Sequence, residues 1–166
     1  EAMKTGKLVG YINGLHGWAT AIREHSPEEQ RFVTYVSLIG GAKMLLYFGG
    51  PYTMNMELRK TFKPLSREMA TLAPIVANPE VRQRVACDNR GIDYTAYAAP
   101  DGLYVITLNT GENDERATFR IRGAAGEVVV LFEGRTRQLD GGEFQDTFEP
   151  LERHVYRITG ADSYEK

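Results

Sequence analysis

Cysteine is nearly missing from this 166-residue chain: Cys87 is the only one, which excludes an internal disulfide and any cysteine-rich zinc site. A reduced, buried thiol is the expectation for it. Tryptophan is as scarce, with Trp18 alone. The three histidines, His16, His25 and His154, are scattered, with no paired carboxylates or cysteines at ligand spacing, so no metal and no cofactor are assigned. An excess of one charge is missing too. Twenty Lys and Arg stand against 22 Asp and Glu, a net of -2 spread along the chain, which leaves no basic face for phosphates and excludes nucleic acid as a partner. Long apolar runs are missing as well. Stretches such as Met44-Leu45-Leu46-Tyr47-Phe48 fall far short of the ~20 residues a membrane-crossing helix needs, so no membrane partner is expected. Glu1-Ala2-Met3 does not open a signal peptide, and a chain beginning at Glu is expected to be cut from something longer.

What remains is ordinary globular composition, 42% hydrophobic and 25% charged, at a length for one domain or two small ones. The first half alternates strand and helix. Leu8-Val9-Gly10-Tyr11-Ile12 is a short apolar run of the kind buried on both faces of a parallel sheet, followed by a polar, aromatic-bearing loop from Asn13 to His25. A helix then starts with clear punctuation: Ser26 as cap, Pro27 at the first helical position and Glu29 completing a Ser-x-x-Glu capping box. Phe32, Tyr35, Val36 and Ile39 are its expected apolar stripe. Gly40-Gly41 ends it, and residues 42–48 form a second continuous apolar strand. After Gly49-Gly50-Pro51-Tyr52 a helical pattern resumes with Leu58, Phe62, Leu65, Met69, Leu72 and Val76. Pro64 and Pro74 are expected to divide it into shorter pieces, because a mid-helix proline removes a hydrogen bond and crowds the preceding turn.

Near Ala77-Asn78-Pro79 the rhythm changes from helical to alternating. Residues 91–97, 103–108, 117–122, 128–132 and 154–158 read as strands, with 84–88 and 142–148 as weaker candidates. Turn signals such as Pro100-Asp101-Gly102 and Asp140-Gly141-Gly142 lie between them. The fold class expected is therefore α+β in two parts: residues 1–78 as a βαβα segment, and residues 79–166 as an antiparallel all-β sandwich of about seven strands.

Two groups of segments carry a resemblance. Ser26-Pro27-Glu28-Glu29-Gln30-Arg31-Phe32 through Gly41-Ala42-Lys43-Met44-Leu45-Leu46-Tyr47-Phe48 resembles the seventh helix and eighth strand of TIM-barrel glycoside hydrolases of the β-galactosidase-like type. Val129 to Arg135 and Phe148-Glu149-Pro150-Leu151-Glu152-Arg153-His154-Val155-Tyr156-Arg157-Ile158 are similar to the closing strands of the all-β domain after such barrels. The resemblance implies a partial (β/α) barrel, about a quarter of it, followed by a C-terminal sandwich. A complete barrel of this kind needs ~250 residues and builds its site at the C-terminal ends of all its strands. It implies two catalytic carboxylates flanking the scissile bond, one after the fourth strand and one at the end of the seventh. The fourth strand is absent here, and the seventh-strand candidate ends Tyr11-Ile12-Asn13-Gly14-Leu15 with neither Asp nor Glu. No catalytic residue is therefore assigned.

The expected function is that of a C-terminal fragment of a carbohydrate-active glycoside hydrolase, accessory or structural and not catalytic alone, whose partners are carbohydrate and the missing N-terminal barrel portion. Asn13, His16 and Trp18 lie in the loop where a barrel places substrate contacts, and an indole face is a stacking platform for a sugar ring. With Tyr52, after the Gly-Gly-Pro turn, they are the candidate substrate-binding residues. Packing of Trp18 onto a helix is an equal alternative. Glu28 and Glu29 sit in a helix's first turn, where carboxylates complement the dipole. Arg120, Arg122, Arg135 and Arg137 read as a solvated, edge-protecting face. Two alternatives stay open: a non-catalytic carbohydrate-binding or protein-interaction sandwich, and, because two parallel strands leave open edges, pairing with a second copy of the chain.

Overall fold

Ser26 does what its position demands. In the structure, a computed structural model that describes residues 10–14, 25–48 and 56–160, its hydroxyl accepts from the Glu29 N–H at 3.2 Å. The Glu29 carboxylate in turn accepts from the Ser26 N–H at 2.8 Å. This closes the capping box at the start of α1 (Pro27–Ile39). Gly41 takes the left-handed conformation at φ 88, and the Ala42 N–H reaches back to the Ser37 carbonyl at 2.9 Å, so the helix ends where the glycine pair predicts. On either side run β1 (Gly10–Gly14) and β2 (Met44–Phe48), paired in parallel from Gly10 opposite Met44 to Gly14 opposite Phe48.

The chain divides into two units, residues 1–72 and 73–166. In the first, the faces of β2 are unequal. Tyr47 is half-buried, its hydroxyl 3.0 Å from Thr34 Oγ1 on α1 and its ring edge-on to Phe62 at 5.0 Å. Met44 and Leu46, two residues apart on the other face, are 54% and 47% exposed. The buried face of α1 is also not the stripe expected from sequence. Of Phe32, Tyr35, Val36 and Ile39 only Tyr35 is fully buried, and Val36 is exposed. Gln30, Thr34, Ser37 and Leu38 are buried instead. Small hydroxyls make this affordable: Thr34 donates to the Gln30 carbonyl at 2.9 Å and Ser37 to the Val33 carbonyl at 2.7 Å, so neither enters the interior with an unmet donor.

Pro64 and Pro74 do not break the second helix. α2 runs unbroken over Met56–Val76. Leu58, Leu65 and Leu72, seven residues apart, are at most 1% exposed. Both prolines fall on the exposed side, where the carbonyls that lose a partner are open to water while the leucine stripe keeps its burial. The Asn78 amide closes the end by donating to the Pro74 and Ile75 carbonyls.

The second unit is all antiparallel after a single 3₁₀ turn at Arg82–Arg84. Its strands are β3 (Val85–Cys87), β4 (Ile92–Ala99), β5 (Gly102–Asn109), β6 (Glu115–Ile121), β7 (Glu127–Val130), β8 (Arg135–Gln138), β9 (Glu143–Phe148) and β10 (Arg153–Ile158). They form a five-stranded sheet ordered β4-β5-β10-β7-β8 and a three-stranded sheet ordered β3-β6-β9. One core joins the sheets. Phe119 of β6, with no exposed surface, lies 5.1 Å from the Phe144 ring and 5.6 Å from the Tyr156 ring of β10. Among the described residues the unit has eight strands, where about seven were expected. The weaker candidates 84–88 and 142–148 are β3 and β9, and Arg135-Thr136-Arg137-Gln138 is a strand with no apolar alternation to announce it. The strand expected over 128–132 stops at Val130, and Phe132 takes a left-handed φ of 70 in the turn. Cys87 is half-buried and its thiol is pushed up by that burial.

Candidate functional site

Asn13, the first of the substrate-binding candidates, lies in β1 directly opposite Tyr47 in the parallel register. Its side chain, and His16, Trp18 and Tyr52 altogether, lie outside the described residues. Asn13 and Tyr47 are thus brought together at the backbone, near the C-terminal ends of two parallel strands.

The densest polar constellation lies in the second unit. Phe144, Asp146 and Phe148 share the inward face of β9, so the two-residue period carries a carboxylate into the core, where an unpaired charge is prohibitively expensive. Four donors answer it. Arg135 Nη1 reaches Asp146 Oδ2 at 2.7 Å and Arg137 Nη2 reaches Oδ1 at 2.6 Å. The Thr147 N–H donates to Oδ1 at 2.9 Å and the Tyr156 hydroxyl to Oδ2 at 3.0 Å. The two arginines stand two residues apart on β8, hence on one face, and that face turns towards β9.

Glu133, in the turn before β8, extends the network. Its carboxylate takes Arg135 Nε at 2.7 Å, Arg153 Nη1 at 3.1 Å and His154 Nδ1 at 2.7 Å. His154, almost fully buried, packs its ring 4.6 Å from that of Phe148 and places Nε2 3.1 Å from the Thr147 carbonyl. Burial alone would raise the Asp146 carboxyl, but the bonds from Arg137 and Arg135 outweigh it and hold the group below its ordinary range. Glu133 follows the same balance, with burial opposed by His154 and Arg135. Tyr156 is driven well up, by burial first and then by the Asp146 charge. Asp146 and Glu133 are held as carboxylates, while Arg137 Nε is buried with no hydrogen-bond partner among the described residues.

Glu133, Arg135, Arg137, Asp146 and His154 line a cleft of about 620 Å³, whose outer wall includes Asp114, Arg116, Glu149 and Glu152. Arg120 fits the solvated face expected of it, pairing with Glu143 at 2.6 Å where both are well exposed, and Arg122 is exposed as well. Arg135 and Arg137 do not, because Asp146 draws them across to the other sheet. The signal was present in the sequence: an acid between two inward phenylalanines obliges a cation nearby. Among the described residues, no three His, Cys, Asp or Glu are grouped as metal ligands.

No family model matches the sequence, and no curated protein does. Several solved structures share the fold. AmyP in complex with maltose superposes with a TM-score of 0.63 at 16% identity, over 82% of this chain and 36% of its own. An α-galactosidase described as putative, from Bacteroides fragilis, gives 0.60 at 15%, over 84% and 30%. A glycoside hydrolase family 30 subfamily 8 xylanase from Clostridium acetobutylicum gives 0.58 at 11%, over 95% and 44%. The chain spans less than half the length of each. Its fold, mixed α and β and mostly antiparallel sheet, is that of a portion of larger glycoside hydrolases.

Proposed function

We propose that this chain is the C-terminal end of a carbohydrate-active (β/α)-barrel glycoside hydrolase. Residues 1–78 supply its last two βα units, and residues 79–166 an accessory β-sandwich. The observation that carries this is the asymmetry of β2: Tyr47 meets Thr34 and Phe62 on one side, while Met44 and Leu46 are exposed on the other. In a closed barrel each strand turns one face to the surrounding helices and the other to a packed interior, and two parallel strands have no interior to offer. The remaining strands of such a barrel would cover Met44 and Leu46 and pair the free edges of β1 and β2. The β-galactosidase-like type is supported by the segments 26–32 and 41–48.

In this reading the chemistry belongs to the missing barrel portion. The chain's share of the site is Asn13, His16, Trp18 and Tyr52, which hold a sugar by hydrogen bonds and stacking rather than serving as its acid or base. The test compares hydrolysis of aryl glycosides by the 166-residue chain and by a protein extended upstream in its own reading frame. The reading expects turnover only from the longer protein, lowered about tenfold or more by Trp18→Ala. An inactive extended protein with no further βα repeats contradicts it.

A further inference from the structure

We propose that the cleft between β8, β9 and β10 is a separate subsite for a neutral oligosaccharide. The proposal rests on the carbohydrate reading above but concerns residues that reading does not use. The cleft's volume of about 620 Å³ is in the range of small-molecule sites. Its inner wall is preorganised. Arg135 is fixed by Glu133 and Asp146, and Asp146 by four donors, so a ligand meets polar groups that need not rearrange, which lowers the cost of binding.

The outer wall is held in place: Glu152 accepts from the Glu149 N–H at 2.7 Å, and the other side chains are chemically unspent. Asn109, fully buried, donates from Nδ2 to the Asn113 carbonyl at 2.8 Å and the Glu149 carbonyl at 2.9 Å. One amide thereby clamps together the two loops that present Asp114 and Glu149. Among the described residues, the side chains of Asp114, Arg116 and Glu149 enter no hydrogen bond or ion pair. Phe132, the chain neighbour of Glu133, exposes 42% of its surface; the Arg153 guanidinium lies 5.6 Å from the centre of its ring, which leaves the other ring face for a sugar to stack on.

This lining selects its ligand by charge. A simple anion would face Asp114, Glu149 and Glu152; a simple cation would face Arg116 and Arg137. A polyol satisfies both, since each hydroxyl donates to a carboxylate and accepts from a guanidinium. Three rim carboxylates against Arg116 disfavour acidic sugars, leaving neutral ones.

The experiment is amide NMR of the full chain titrated with maltotriose, with xylotriose in parallel and glucuronate as the charged control. The expected result is shifts confined to residues 114–116, 132–137 and 146–154 with a dissociation constant of about 1 mM. Arg116→Ala and Glu149→Ala, both at exposed positions, should each weaken binding about tenfold with the unliganded spectrum unchanged, and glucuronate should bind more weakly. No cleft shift with either trisaccharide, or shifts indifferent to both variants, overturns the subsite. Its fate separates from that of the hydrolase reading. A silent cleft with an active extended protein removes the subsite alone, whereas cleft binding with an inactive extended protein removes the hydrolase and keeps the subsite.

Discussion

Arg135 Nη1 and Asp146 Oδ2 stand 2.7 Å apart across the space between the two sheets of the second unit, one group on β8 of the larger sheet and the other on β9 of the smaller. Asp146 is 4% exposed, so this contact is shielded from water and salt as surface pairs are not. It closes a side of the sandwich where β8 offers no apolar side chain.

Replacing Asp146 by Asn keeps the shape and removes the charge, leaving Arg135 and Arg137 facing a neutral partner. The expected loss is about 3 kcal/mol, read as a lower urea midpoint for the sheet signal in circular dichroism. Arg120→Ala, at the exposed pair with Glu143, should cost under about 1 kcal/mol and serves as the control.

The same network sets an acid limit. Asp146 and Glu133 titrate below their ordinary values in the folded chain, so the unfolded chain binds more protons and stability rises with pH across that window. Their contribution is complete above the ordinary carboxylate range, at about pH 5 and higher, and disappears as pH falls through the lowered folded values. Urea unfolding at successive pH values should show this slope, and Asp146→Asn should flatten it.

In the first unit, Ser26→Ala removes the hydroxyl that accepts from Glu29 and should cost about 1 kcal/mol. Faster amide exchange in the first turn of α1, with the sandwich amides unaffected, is the expected signature.

Pro64→Ala should stabilise α2. The proline sits exposed inside an unbroken helix, so alanine restores a backbone donor without disturbing the buried leucines. The gain, about 2 kcal/mol after the added freedom of the unfolded chain, should show as slower amide exchange through residues 58–70.

How far these features were legible in the sequence depends on where the information was stored. The cap at Ser26, the stop at Gly41 and the alternating strands β4, β5, β6 and β10 are local, and turn chemistry with period two is enough to find them. The persistence of α2 through Pro64 and Pro74 is not local, since it depends on which face the prolines occupy relative to Leu58, Leu65 and Leu72. β8 escaped because Arg135 and Arg137 look like solvent-facing residues until Asp146, eleven and nine positions further on, is known to point inward. The α1 stripe was misplaced because Thr34 and Ser37 hide their hydroxyls on the helix's own carbonyls, a solution that hydrophobicity alone does not register. The cleft combines residues from 114 to 154 and depends on the pairing of two sheets, which no spacing rule encodes.

Membership of β1 and β2 in a larger barrel can be read from sedimentation of the isolated 166-residue chain combined with amide exchange. Self-association through the open strand edges and the Met44 and Leu46 face is expected, shifted towards monomer by Met44→Asp with Leu46→Asp, together with poor protection of residues 10–14 and 44–48 in the monomer. A monomer at all concentrations with those ten amides as well protected as the sandwich would contradict it.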